Sequence, residues 1–111
     1  MTLLDISIYQ GSSFNLSLTA VDSTGAMINL SGFSARGQVR YGFGSTGVLL
    51  NLNPQVDTGY VSGLINISLN ASQTTGLPIT KAVYDIEAYN SGNYCFKAFA
   101  GYANIYPEVT F

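Results

Sequence analysis

The sequence predicts an all-β fold, an antiparallel β-sandwich of about seven to nine strands with one short helical turn; a small barrel is the alternative architecture. Three observations carry this. Apolar and polar residues alternate with period two along most of the chain, turn-forming residues recur about every 8–12 positions, and no strand–helix–strand rhythm interrupts them. At 111 residues the chain is read as a single domain, 1–111, large enough for one core and too short for a second.

The elements follow in order. "LLDISIY" puts Leu4, Ile6 and Ile8 on one side, and after the turn "QGSS" the stretch "FNLSLTAV" puts Phe14, Leu16, Leu18 and Ala20 on one side. "DSTG" is a turn by composition, followed by the short apolar "AMINL". In "FSARGQVR", Phe33, Ala35, Gly37 and Val39 face in while Ser34, Arg36, Gln38 and Arg40 face out. The glycine-rich "YGFGSTG" is a loop or hairpin end. "VLLNLN" is a strand cut off by Pro54, and "YVSGLINISL" places Val61, Gly63, Ile65, Ile67 and Leu69 in phase. Asn70 caps a single helical turn over "ASQTT", with Gly76 placed for a left-handed end and Pro78 blocking continuation. Three strands close the chain, "KAVYDIEAY", "YCFKAFAGY" and "ANIYPEVTF", the first two joined by a hairpin loop at Asn90–Asn93. Pro107 donates no amide, so it belongs on an edge strand or at a bulge.

Composition removes several classes of function. Charged residues make up only 9%, the net charge is −2, and Arg36, Arg40, Lys81 and Lys97 are the only cations, so there is no basic footprint for nucleic acid. No apolar run approaches the ~20 residues of a membrane span, and "MTLLDISIYQ" lacks the basic start and apolar segment of a signal peptide. Matches to Asn-x-Ser/Thr at Asn15, Asn29, Asn66 and Asn70 are therefore incidental. With no histidine and one cysteine, neither a zinc constellation nor an internal disulfide is available. The setting "NYCFKAF" makes Cys95 a buried small hydrophobe. The weakly charged surface suits either a well-hydrated polar exterior or a protein that lives in an assembly.

Asp85 and Glu87, two apart in a strand, look out from one face, the spacing of a candidate acid/base pair. General acid/base work requires a cleft that separates the two pKa values, and acids on the wet face of a strand are far commoner. The predicted partners are Arg36 and Arg40 on another strand of the same sheet, or loop amides that the acids cap. A serine or threonine nucleophile has only lysine as a base, no glycine-rich phosphate loop precedes a helix, and Asp22 and Asp57 lie in loops without calcium-ligand spacing. No cofactor, metal or small-molecule substrate is expected.

Four stretches, in order, cover nearly the whole chain: "QGSSFNLSLTAVDSTG", "INLSGFSARGQVR", "LNASQTTGLPITKAVYDIEAY" and "GYANIYPEVTF". The chain resembles the small Ig-like β-sandwich domains of tailed-bacteriophage virion proteins, which carry Gln-Gly-x-x-Phe, Leu-Thr-Gly-Tyr-x-x-Arg-x-Gln-Val-Arg, Leu-Thr-x-x-Gln-Thr-x-x-Leu-Pro with Val-Tyr-Asp-Ile-Glu, and Val-x-Pro-Glu-Val-Thr in that sequence.

The resemblance implies roles in the fold. Gly32 turns the chain into the strand beginning at Phe33, the turn from Gln73 through Leu77 to Pro78 closes one end, and Tyr84 packs its ring. Asp85 and Arg36 tie strands or loops together, and Arg40 ends the same motif. It also implies a non-enzymatic virion structural protein that docks on other virion structural proteins in multiple symmetric copies. An adaptor or attachment subunit of the tail or baseplate is the first location, and a capsid decoration protein the second. A carbohydrate-binding module using Asp85, Glu87 and exposed tyrosines is a third reading, from a different class. The chain stops at Phe111 without a downstream fibre region, which speaks against direct host binding. Candidate interface residues are Tyr94, Tyr102, Tyr106 and Phe111.

Overall fold

The alternating stretches form two sheets packed face to face in the computed structural model, which describes residues 2–42, 44, 47–57 and 63–107. Among these, the strands are β1 (Thr2–Leu3), β2 (Ile6–Tyr9), β3 (Phe14–Thr19), β4 (Ser34–Arg40), β5 (Val48–Asn51), β6 (Gln55–Val56), β7 (Leu64–Leu69), β8 (Lys81–Tyr89) and β9 (Cys95–Tyr106). A single helical turn, α1 (Ala71–Thr74), joins β7 to β8. The larger sheet runs β1-β9-β8-β4-β5 with β2 also on β9, and the smaller runs β3-β7-β6. This is the strand distribution of an immunoglobulin-type sandwich, G-F-C-C′ facing B-E-D.

Alternation decides which residues enter the core. Ile8, Val39, Leu52 and Ile86 from the larger sheet's side meet Ile65, Ile67 and Leu69 of β7, with Leu30 of the β3–β4 connection sealed among them. Burying each such side chain contributes about 1.5–3 kcal/mol. Val61 and the Glu108–Phe111 part of the closing strand lie outside the described residues, as do three positions of the loop after Arg40.

The edge at β1 and β2 differs from an all-antiparallel expectation, because both strands pair parallel with β9. Period-two alternation is identical for the two pairing senses, so it carries no information on direction. The register is the same across both strands, Thr2↔Phe99 and Ile6↔Ala103, with an interruption at Leu4–Asp5. There the Leu4 amide donates to Ala100 O (2.9 Å), the Tyr102 amide donates to Asp5 Oδ1 (3.0 Å), and the Tyr84 hydroxyl donates to Leu4 O. Gly101 lies beneath; a Cβ there would sit 2.8 Å from the Leu4 carbonyl carbon.

The two final strands of the sequence reading are one, β9, continuous from Cys95 to Tyr106. The expected break between Tyr102 and Ala103 is absent, and the irregularity lies earlier, at a bulge: Glu87 pairs with Lys97 but Ile86 with Phe99, so Ala98 is the extra residue. Pro107 follows the strand's end and is exposed.

The helical turn forms where the sequence places it. Asn70 accepts from the Gln73 amide (3.0 Å) while Gln73 Oε1 accepts from the Asn70 amide (2.8 Å), a reciprocal capping box. Its end is a correction: Gly76 does not take a positive φ, and Thr75 closes the turn in right-handed geometry. The Thr75 hydroxyl donates to the Ala71 carbonyl (2.8 Å), the Thr74 hydroxyl lies between Ser12 O (2.9 Å) and Ala71 O (3.1 Å), and the Leu77 amide closes back on Thr74 O (3.3 Å), a turn that needs no positive φ.

Candidate functional site

The outer face of the larger sheet gathers almost all the residues with chemistry. β4 presents Arg36, Gln38 and Arg40, β8 presents Lys81, Asp85, Glu87 and Tyr89, and β9 presents Cys95, Lys97, Tyr102 and Tyr106. Cross-strand register then chooses partners. Arg36 stands opposite Glu87, and its Nη2 lies 3.0 Å from Glu87 Oε2. Arg40 stands opposite Val83 and donates instead to Gln38 Oε1 (2.8 Å). Asp85 is opposite Gln38 on one side, and its Oδ2 meets Lys97 Nζ at 3.2 Å on the other. The expected match of both acids to the two arginines is thus half met: Glu87 takes Arg36, and Asp85 takes a lysine from β9.

Cys95 corrects the sequence reading, since it is exposed, on the same face as Glu87. Its thiol donates to Glu87 Oε2 at 3.2 Å. The triplet Tyr94-Cys95-Phe96 is apolar throughout and offers no alternation to read; the hairpin register Tyr89↔Cys95 puts the cysteine outward. The hydrogen bond from Cys95, then Arg36, holds the Glu87 carboxyl below the usual carboxylate range, and the same carboxylate pushes the Cys95 thiol up. Two neighbouring acids held apart in a cleft are the requirement for acid/base catalysis. Here each acid is partnered by a cation, and the groove beside them is lined by Arg36, Gly37, Gln38, Asn51, Asp85 and Glu87.

Aromatic residues complete the face. The Arg36 guanidinium lies 4.7 Å from the Tyr89 ring centre and Lys81 Nζ lies 4.2 Å from that of Tyr102. Tyr106 stacks on Tyr9 of β2 with centroids 5.2 Å apart, both rings exposed. Tyr94 sits at the β8–β9 hairpin, exposed, edge-on to Phe33 (6.0 Å) and tilted against Phe96 (5.9 Å). Three of the four candidate interface residues are therefore on the surface, and Phe111 lies outside the described residues. Tyr9, Met27 and Ile79 are further exposed apolar side chains that the sequence reading did not single out.

Arg36, Arg40 and Asp85 apart, the residues assigned fold roles sit elsewhere. Gly32 has φ 78° in the turn closed by the Phe33 amide on Leu30 O (2.9 Å). Gln73 makes the capping box, Leu77 is buried with its carbonyl accepting from the Gln10 side chain, and Pro78 is half-buried beside it. Tyr84 is buried, and desolvation, with the Asp5 charge, pushes its hydroxyl up to about 12. The described residues contain no group of three or more Cys, Asp or Glu placed to hold a metal ion. The chain matches no protein-family model, and no curated protein matches it in sequence.

Proposed function

We propose that this chain is a non-enzymatic structural protein of a tailed-phage particle, an adaptor or attachment subunit of the tail or baseplate that docks on other virion proteins in symmetric copies. The observation that carries the reading is the resemblance of four ordered stretches, from Gln10 to Phe111, to such domains. The geometry is compatible with a docking role. All four cations are engaged within the larger sheet's face, by Glu87, Gln38, Tyr102 and Asp85, and exposed Tyr9, Tyr102 and Tyr106 stand among them. Exposed aromatic residues suit the core of a protein interface, and cations already paired within the face reduce the cost of covering it.

Cryo-EM of the intact particle with this chain placed in the map tests the proposal. Density at the tail tip or collar supports the adaptor reading. A regular array over the head makes it a decoration protein that cements shell subunits, a role to which small size and low charge are equally suited. Absence of the chain from the mature particle overturns both.

A further inference from the structure

Among the described residues the two sheets end in four edges, and three carry features that stop another strand from pairing with them. β6 is two residues long and follows Pro54. β5 is four residues long, and its pairing with β4 shifts at Val39/Arg40. The β1–β2 edge is interrupted at Leu4–Asp5, where the Asp5 carboxylate turns in to the Tyr102 amide. Short strands, bulges and inward charges are the usual protections of a sheet edge. β3 has none of them. It runs unbroken from Phe14↔Leu69 to Thr19↔Leu64, contains no proline or glycine, and no charged residue occurs anywhere from Ile6 to Val21.

The ladder tells which backbone groups are free. Ala20 N–H donates to Gly63 O (2.8 Å), so by alternation Leu18, Leu16 and Phe14 bond to β7 while the amides and carbonyls of Asn15, Ser17 and Thr19 point to the open edge. The side chains of those three residues are exposed and neutral, whereas Phe14 and Leu16 are only half-buried at the rim of the inner face.

We propose that β3 pairs antiparallel with β3 of a second copy of this chain, joining the two small sheets across a two-fold axis. In such a contact a charge at the residue on the axis would face its own copy, and charges elsewhere would be brought close to their copies; the edge has none. The free groups dictate a register centred on Ser17, with Ser17 opposite its counterpart and Asn15 opposite Thr19, neutral pairs that hydrogen-bond across strands. On the inner side Leu16 comes beside Leu18 of the second copy and Phe14 beside Ala20, covering the two half-exposed side chains. The contact names a partner within the symmetric assembly proposed above and rests on that reading for its purpose, while its physical basis is the edge alone.

Sedimentation equilibrium of the purified chain reads the contact directly. A single edge pairing is smaller than the ~1,200 Å² of standard interfaces, so association is expected at high micromolar concentration. Ser17→Lys is expected to weaken it at least tenfold, whereas Ser34→Lys, exposed on the other sheet, leaves it unchanged. In a Cys95→Ser background, Ser17→Cys is expected to form an intermolecular disulfide on mild oxidation and Asn15→Cys is not. A chain monomeric up to about 1 mM, a dimer indifferent to Ser17→Lys, or equal crosslinking at both positions overturns the proposal. Crosslinking at Ser17 by a chain absent from particles would remove the virion reading and leave the contact standing. A particle-bound chain that neither associates nor crosslinks through Ser17 would do the reverse.

Discussion

Glu87 and Cys95 meet diagonally across the β8–β9 hairpin, the thiol donating at 3.2 Å to the same Glu87 oxygen that the Arg36 guanidinium holds at 3.0 Å. One carboxylate oxygen thereby links three strands on the exposed face of the larger sheet.

The cysteine's reactivity is expected to depend on that acid. Glu87 is the main cause of the raised thiol pKa, so Glu87→Gln leaves Cys95 beside Arg36 with more thiolate at a given pH. Alkylation by iodoacetamide at pH 8 should accelerate by about two- to fivefold. An unchanged rate would show that the thiol does not feel the carboxylate. The same coupling has a sign in acid. Because the folded Glu87 pKa is lowered, its contribution to stability is present above the unfolded carboxylate pKa and is lost as pH falls through the folded value. On so open a face it amounts to no more than ~1 kcal/mol.

Gly101→Ala should destabilise the fold by about 1–3 kcal/mol in a denaturant titration, because the added carbon meets the backbone of Leu4, which cannot move aside as a side-chain tip can. The damage should concentrate at the β1–β2 edge, seen as faster amide exchange at Leu4 and Tyr102.

Alkaline stability should report on Tyr84. Its pKa rises from 10.0 to about 12 on folding, chiefly through burial, so its contribution is full below pH ~10 and disappears as pH rises through 12. Tyr84→Phe is expected to flatten that part of the stability profile. It should also cost about 1 kcal/mol at neutral pH through the lost hydrogen bond to Leu4 O.

Asn70→Ala removes one half of the capping box and the acceptor for the Ser72 hydroxyl (2.6 Å), with an expected loss of about 0.5–2 kcal/mol in thermal or chemical unfolding. Asn70→Asp should lose far less, since a carboxylate accepts the same Gln73 amide.

Much of the sandwich was legible in single side chains. Alternation located β3, β4 and β7 with their inward residues, the Asn70 cap located α1, and Asn90, which accepts from the Gly92 and Tyr94 amides (3.0 and 3.1 Å), marked the hairpin. Gly76 differs from the expectation because the chain stays right-handed through Thr75 and the Leu77 amide closes back on Thr74 O (3.3 Å), a turn that needs no left-handed residue. Cys95 was misread because a run of three apolar residues has no phase of its own.

The sequence by itself determined the all-β class, the turn positions and which face of most strands is apolar, since these depend on residues within a few positions of one another. Only the tertiary structure decided that β1 and β2 run parallel to β9, that β9 continues through Tyr102 and bulges at Ala98, that Asp85 takes Lys97 while Glu87 takes Arg36, and that among the described residues β3 is left with an open edge. Each of these is a matter of register or pairing between strands far apart in the chain. A period of two is the same for every register and direction, so the choice falls to the packing of the whole sheet.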